Sequence, residues 1–295
     1  VKAAFLGLGA IGWPMAVHVA RAHELAVWNR TAARARDFAA QHPARAAATP
    51  REAVAGADVI LTCLPTSREV AALLDGPDGI LAGAARGALF LDCTSGDPAT
   101  SRAIAARCAA AGLAFADCPV SGGTNGAEAA TLTVMVGGDA ATVERARPVL
   151  QAFGKRIAHL GPVGAGHAMK AVNNALLAAN IQLVGEGLVA LVKAGVPARA
   201  ALEVLNASSG RSFVSEVLVP ERVLTGAFPA TFRLALLDKD VGICLQVLRD
   251  EGVAGPLLER VGEVIHAARA ALGEDADYLE AIRVVERQAG VELRG

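Results

Sequence analysis

The chain has 295 residues, of which 53% are hydrophobic and 19% charged, and its formal net charge is -1 at pH 7. That composition supplies a large core and argues against a disordered chain. The near-neutral balance argues against nucleic acid or an anionic membrane surface as partner, so any anionic ligand must be held by local groups.

Cys63, Cys93, Cys108, Cys118 and Cys244 are scattered without a CxxC pair. Reduced, mostly buried thiols in a cytoplasmic protein are therefore expected. The histidines show no metal-binding spacing, and no metal site is expected. Glycines and Trp13-Pro14 interrupt the apolar start, which does not read as a signal peptide.

Residues 2–7 predict a short buried strand, followed by Gly7-Leu8-Gly9-Ala10-Ile11-Gly12 and a helix to about Ala22. A GxGxxG spacing alone is weak. Between a strand and a helix, with a second strand at 24–29, it predicts a dinucleotide site: a tight turn, close backbone approach to a pyrophosphate, and a helix N-terminus facing it. A carboxylate closing the second strand would bind the ribose 2′-hydroxyl of NAD. Here Asn29-Arg30-Thr31 stands instead. Nothing repels a 2′-phosphate and Arg30 can pair with it, so NADP is expected, with NAD left open.

Further strands are expected at 57–64, 87–93, 113–120, 131–138 and 155–160, with helices at 67–74, after Pro98 and at 139–152. This alternation predicts an α/β, Rossmann-type doubly wound sheet over 1–161, with ligands at the carboxyl ends of its strands. Leu64-Pro65-Thr66, Thr94-Ser95-Gly96 and Pro119-Val120-Ser121-Gly122-Gly123 fall at such ends. The last can form an anion nest suited to a carboxylate, and each can equally be a plain turn.

After Gly161 the pattern becomes helical, with segments at 168–193, 198–206, 212–225, 234–250, 255–272 and 278–288. Residues 162–295 thus predict an all-α substrate and oligomerisation domain. The first helix is apolar on every face, which predicts burial, although 174–192 approach membrane length. Its first turns carry Lys170, Asn173 and Asn174, with Lys170 and Asn174 on one face. A buried unpaired lysine would be functional and a snorkelling one ordinary, and the stretch itself leaves both open. Lys239-Asp240 reads as a solvated helix end. Alanine-rich helices with few polar faces predict a homodimer or homotetramer.

GLGAIGWPMA (7–16), DCPVSGGTNGAEAATLTVMVGG (117–138), GAGHAMKAVNN (164–174) and KDVGICL (239–245) together resemble the β-hydroxyacid dehydrogenases. SSGRSF (208–213) and Phe232 resemble the 3-hydroxyisobutyrate branch, although Phe213 stands where that branch usually has Trp. The resemblance implies that Lys170 is the catalytic acid/base, that Ser121-Gly122-Gly123 grip the substrate carboxylate and that Asn174, with Asn173, orients it. It further implies that Leu64-Pro65, Ser95 and Lys239 touch the cofactor. Small 3-hydroxy acids are the implied substrates. Tartronate semialdehyde, glyoxylate and succinic semialdehyde are alternatives, and a non-catalytic cofactor sensor is the alternative of another class.

Overall fold

Along the first strand, Ala3 and Phe5 join the core on one face of a sheet, while Ala4 and Leu6 join the core on the other. Val59 and Leu61 against Ile60, and Leu89 and Leu91 against Phe90, repeat the alternation. A fully buried Leu, Ile or Phe contributes about 1.5–3 kcal/mol. Register is therefore set by burial on both faces, and strands buried on both faces are what a parallel α/β sheet requires.

The computed structural model describes residues 1–295. Its sheet comprises β1 (Lys2–Leu6), β2 (Glu24–Trp28), β3 (Ala44–Ala46), β4 (Val59–Thr62), β5 (Leu89–Asp92), β6 (Ala114–Asp117), β7 (Val120–Ser121), β8 (Leu132–Gly137) and β9 (Gly154–Gly161). The order is β3-β2-β1-β4-β5-β6-β8-β7, with β9 beside β8. The six strands from β3 to β6 run parallel, and β8 runs antiparallel to β6 and β7. Leu6, Trp28, Thr62, Asp92 and Asp117 lie in one row across the sheet, so the loops leaving β1, β2, β4, β5 and β6 emerge side by side.

Helices α1 (Gly12–Ala22), α2 (Ala32–Gln41), α3 (Pro50–Val54), α4 (Ser67–Ala72), α5 (Ile80–Gly83), α6 (Pro98–Ala110), α7 (Gly123–Glu128) and α8 (Ala140–Leu150) intervene between strands. Asp97 and Asp139 cap α6 and α8 by accepting the N–H of Thr100 (2.8 Å) and Thr142 (2.9 Å). These bonds satisfy donors that a helix start otherwise leaves open.

The chain divides into two compact units, Val1–Lys170 and Ala171–Gly295. Helix α9 (Ala165–Lys193) carries the division within it, and an 18-residue stretch of it with a mean hydropathy of 1.8 makes it long and apolar enough to cross a membrane. The expectation of burial on every face needs correction. Ala171, Ala175, Ala178, Ile181 and Leu188 are buried, while Met169, Leu176 and Leu183 are exposed. The exposed three recur at seven-residue spacing and so lie along one line of the helix. Small and large apolar residues occur on both sides, which hides the inner face from a hydropathy reading.

The second unit is helical: α10 (Ala198–Asn206), a π-helix over Val214–Val223, α11 (Leu234–Asp250), α12 (Pro256–Leu272), a 3-10 turn at Tyr278–Ala281 and α13 (Ile282–Ala289). Its core gathers Val219, Leu234, Leu237, Cys244, Ile265 and Ile282. Asp277 and Glu280 form a capping box, and Asp277 Oδ2 also accepts the N–H of Thr231 (2.8 Å) and Phe232 (3.1 Å). The Phe232 ring packs on Tyr278 with centroids 5.6 Å apart, whereas Phe213 is 62% exposed.

Candidate active site

The three glycines of the turn between β1 and α1 differ in what a side chain there would meet. Gly7 has φ +108°, and a Cβ there would lie 2.3 Å from the Cys63 carbonyl oxygen. A Cβ on Gly12 would lie 2.0 Å from the Gly7 carbonyl oxygen, so only glycine lets α1 start this close to the turn. A Cβ on Gly9 would meet no atom within 4 Å. No protein contact demands glycine at position 9, and space remains for another molecule. Gly9 and Ala10 are exposed, and the N–H groups of Gly9, Ala10 and Ile11 have no protein acceptor. Open donors at a helix start fit the pyrophosphate of a dinucleotide.

At the end of β2, Asn29 proves to brace this turn. Its Oδ1 accepts the Leu8 N–H (3.0 Å) and its Nδ2 donates to the Thr31 carbonyl (3.2 Å). Arg34 Nε donates to the Leu8 carbonyl (2.9 Å), and its guanidinium lies over Trp13, 5.8 Å from the ring centroid. Arg30 is exposed and makes no ion pair, and the Thr31 hydroxyl caps nothing at the start of α2. Arg30 and Thr31 are thus the polar groups left open to a ligand here.

The Leu64-Pro65 and Thr94-Ser95 loops share one buried brace. Asp92 Oδ1 accepts from Thr62 Oγ1 (2.8 Å) and from the Thr94 N–H (3.1 Å), and Thr94 Oγ1 accepts the Leu64 N–H (3.1 Å). Ser95 is half-buried and Pro65 exposed. Cys63, Cys93 and Cys118 follow the strand-end residues of β4, β5 and β6. Burial pushes the Cys63 thiol up to about 12 and holds Cys93 and Cys118 well above the ordinary thiol range. Such thiols pack and do not attack.

Asp117 ends β6 and is fully buried. Its Oδ1 accepts the Gly164 N–H (2.6 Å) and its Oδ2 the His167 N–H (2.8 Å), so it caps α9. Burial raises its carboxyl above the usual range, and the His167 ring and the backbone N–H groups oppose that rise. His167 is also buried: its Nε2–H donates to the Thr94 carbonyl (2.9 Å), which leaves Nδ1 to meet the Ser101 hydroxyl (2.5 Å). Lys170 follows three residues later and is half-buried, between the buried and the snorkelling lysine that the stretch itself left open. Past β6, Ser121 is half-buried, while Gly122 (φ +138°) and Gly123 (φ +65°) are exposed, and their two N–H groups have no protein acceptor.

In the second unit, Asn173 Nδ2 donates to Asn174 Oδ1 (3.1 Å), and the buried Asn174 donates through Nδ2 to Asp240 Oδ2 (2.5 Å). Asp240 is 2% exposed and pairs through Oδ1 with Lys239 Nζ (3.0 Å). The reading of Lys239-Asp240 as a solvated helix end is therefore wrong. Both sit in the second turn of α11, and the acid is enclosed by two partners.

Two family models cover most of the chain. Residues 2–161 match the NAD binding domain of 6-phosphogluconate dehydrogenase, and residues 164–285 match the NAD-binding region of NADP-dependent 3-hydroxyisobutyrate dehydrogenase. The chain is 35% identical to 2-(hydroxymethyl)glutarate dehydrogenase of Eubacterium barkeri, over 100% of its own length and 98% of the relative's. The chain belongs to the β-hydroxyacid dehydrogenase family. It is an NAD(P)-dependent enzyme of that family. It is also 39% identical to the NAD-dependent L-serine dehydrogenase of Pseudomonas aeruginosa, over 86% and 87% of the two chains. A solved structure of Mycobacterium tuberculosis 3-hydroxyisobutyrate dehydrogenase with L-serine matches at a TM-score of 0.87 and 33% identity, covering 96% and 98%.

Within this β-hydroxyacid dehydrogenase, Gly7 to Gly12, Asn29 to Thr31, Leu64-Pro65 and Ser95 all leave the same sheet edge. In the second unit, Asn173, Asn174 and Lys239 are joined through Asp240. Sequence reasoning missed Asp92, Asp117, His167 and Asp240. For Asp92, Asp117 and His167 the signal available was a polar residue in an apolar segment, which asks for a partner but does not name it, whereas Asp240 was hidden beside Lys239.

Proposed function

We propose that this β-hydroxyacid dehydrogenase interconverts a small 3-hydroxy acid and its semialdehyde with NADP(H), 3-hydroxyisobutyrate and methylmalonate semialdehyde being the principal pair and Lys170 the acid/base. The observation that carries the reading is where the lysine's helix begins. Asp117, in the row of strand ends, holds the His167 N–H at 2.8 Å, so the turn bearing Lys170 starts at the edge from which the glycine turn emerges. Residues 1–161 form the dinucleotide-binding domain in this reading, and 162–295 the domain for substrate and for self-association as a homodimer or homotetramer.

The roles follow from the chemistry of each group. Gly9, Ala10 and Ile11 offer N–H groups to the pyrophosphate, and Arg30 with Thr31 binds the 2′-phosphate. Leu64, Pro65, Ser95 and Lys239 complete the cofactor contacts. When bound, the nicotinamide supplies hydride acceptance and return. Lys170 in its neutral form takes the hydroxyl proton as the carbinol is oxidised, and as ammonium returns it to the aldehyde oxygen. The Ser121-Gly122-Gly123 turn holds the carboxylate, and Asn174, kept in place by Asn173 and Asp240, orients it.

The proteins compared above are named for 2-(hydroxymethyl)glutarate, L-serine and 3-hydroxyisobutyrate. All three acids contain the unit HO–CH2–CH(R)–COO⁻ and differ only at R. A site that reads the hydroxyl and the carboxylate accepts this class, while R is discriminated by only about 1–3 kcal/mol per methylene-sized difference. L-serine with NAD is a second reading, favoured by the name of the 39% identical relative and by the L-serine in the solved structure. The test is NADPH and NADH oxidation with the semialdehydes of methylmalonate, tartronate and succinate, and with glyoxylate, alongside NADP⁺ and NAD⁺ reduction with L-serine. The highest kcat/KM with methylmalonate semialdehyde and NADPH supports the first reading. The highest value with L-serine and NAD⁺ establishes the second, and cofactor binding without any turnover defeats both.

A further inference from the structure

We propose that Asp117 is a positioning residue for Lys170, acting through the first turn of α9, with His167 as the second point of the same clamp. The inference rests on the acid/base reading of Lys170 and adds how that side chain is held in register with the sheet.

Both carboxylate oxygens of Asp117 are used, on the N–H groups of Gly164 (2.6 Å) and His167 (2.8 Å). Two bonds from one rigid fork at a strand end set both the axial position of the helix and its rotation. The surroundings are built around that fork. A Cβ on Gly137 would lie 2.5 Å from Asp117 Oδ1, and one on Gly166 would lie 2.8 Å from Oδ2 and 2.3 Å from the Met135 carbonyl oxygen. Only residues without a Cβ let the helix start sit this low on the carboxylate. The His167 side chain fastens the same turn a second time, to the Thr94 carbonyl (2.9 Å) and the Ser101 hydroxyl (2.5 Å). Thr94 precedes Ser95, so the clamp joins the lysine's turn to a loop proposed to touch the cofactor. The other charged groups around it, on α6 and at its cap, are Asp97, whose backbone carbonyl oxygen lies 2.9 Å from the Ser101 hydroxyl, and Arg102, whose guanidinium lies beside Gly164.

A residue that acts through another loses its effect once that other is gone. Asp117→Asn keeps the shape and one acceptor but turns an amide N–H against a backbone N–H. We expect it to lower kcat by about 10²-fold, the usual consequence of a small displacement of a reacting group. KM and the Kd for NADPH should hold. In a Lys170→Ala background the same substitution should change the residual kcat by no more than about twofold. A loss of the same factor in both backgrounds shows a merely structural role and overturns the proposal. If Asp117→Asn shows no cooperative melting transition, His167→Ala and His167→Gln take its place in the cycle. Gln keeps a donor for Thr94 and an acceptor for Ser101, so it should restore the kcat that Ala loses, and equal losses for the two overturn the proposal. A Lys170→Ala enzyme with unchanged kcat refutes the acid/base reading by itself, and the proposal falls with it.

Discussion

Gly9→Ala and Gly12→Ala differ by one methyl at two ends of the same turn, and the structure assigns them opposite consequences. At Gly12 the new Cβ would lie 2.0 Å from the Gly7 carbonyl oxygen, a backbone atom that cannot rotate away. Overpacking of this kind costs about 1–3 kcal/mol. At about 2–4 °C per kcal/mol for a domain of this size, Tm should fall by about 2–12 °C. At Gly9 the Cβ meets nothing within 4 Å, so the free protein should be unchanged or stabilised by about 0.4–1 kcal/mol through the unfolded state. The methyl would instead occupy the space left for a pyrophosphate. Loss of one charge-assisted hydrogen bond of about 1.5–3 kcal/mol weakens NADPH binding by about 10- to 150-fold. Differential scanning calorimetry of the free proteins and NADPH fluorescence titration measure the two effects separately. A Gly9→Ala protein that binds NADPH like wild type would refute the placement of the pyrophosphate. A Gly12→Ala protein with unaltered Tm would refute the packing argument.

Lys170→Ala should lower kcat by about 10²- to 10⁴-fold with NADPH binding retained, measured under steady-state conditions with a separate binding titration. Asn29→Asp with Arg30→Ala should turn a preference for NADP into one for NAD, because one phosphate contact of about 1.5–3 kcal/mol is removed; kcat/KM with each cofactor reads this directly, and a wild type that prefers NAD contradicts it. The raised Asp117 carboxyl gives a pH dependence of known sign. Between its unfolded value near 3.8 and its higher folded value the native state holds more proton than the unfolded one, so this group's contribution to stability falls as pH rises through that window. Asp117→Asn should flatten that part of the curve in denaturant titrations from pH 4 upward, and identical slopes would contradict the assignment.

The sheet was legible because its strands are short apolar runs between glycine and polar turns, and the GxGxxG turn because a strand precedes it. Residues 32–54 were not, since α2 buries only Ala35 and Phe38, and β3 is three residues long. Polar groups at strand ends carry a different difficulty. Asp117 stands inside a motif that resembles the family's, but its partners are backbone N–H groups 47 and 50 residues away, and nothing local points to them. Asp240 shows the same problem with a worse outcome. Beside Lys239 it looks like a solvated pair, and only the 2.5 Å bond from Asn174, 66 positions earlier, reveals a buried acid. Helix α9 misled through its composition: with alanine, leucine and valine on every face, the exposed line through Met169, Leu176 and Leu183 has no hydropathy signature.

In the proposed reaction the site recognises a carboxylate and a primary hydroxyl together. Isobutanol has the shape of 3-hydroxyisobutyrate with a methyl in place of the carboxylate, so kcat/KM for the two alcohols with NADP⁺, measured side by side, tests that claim most directly. A site built to hydrogen-bond a group rejects the analogue lacking it by about 10⁴-fold or more, and a ratio of that size is the expected result. Equal kcat/KM for the acid and the alcohol would contradict the account.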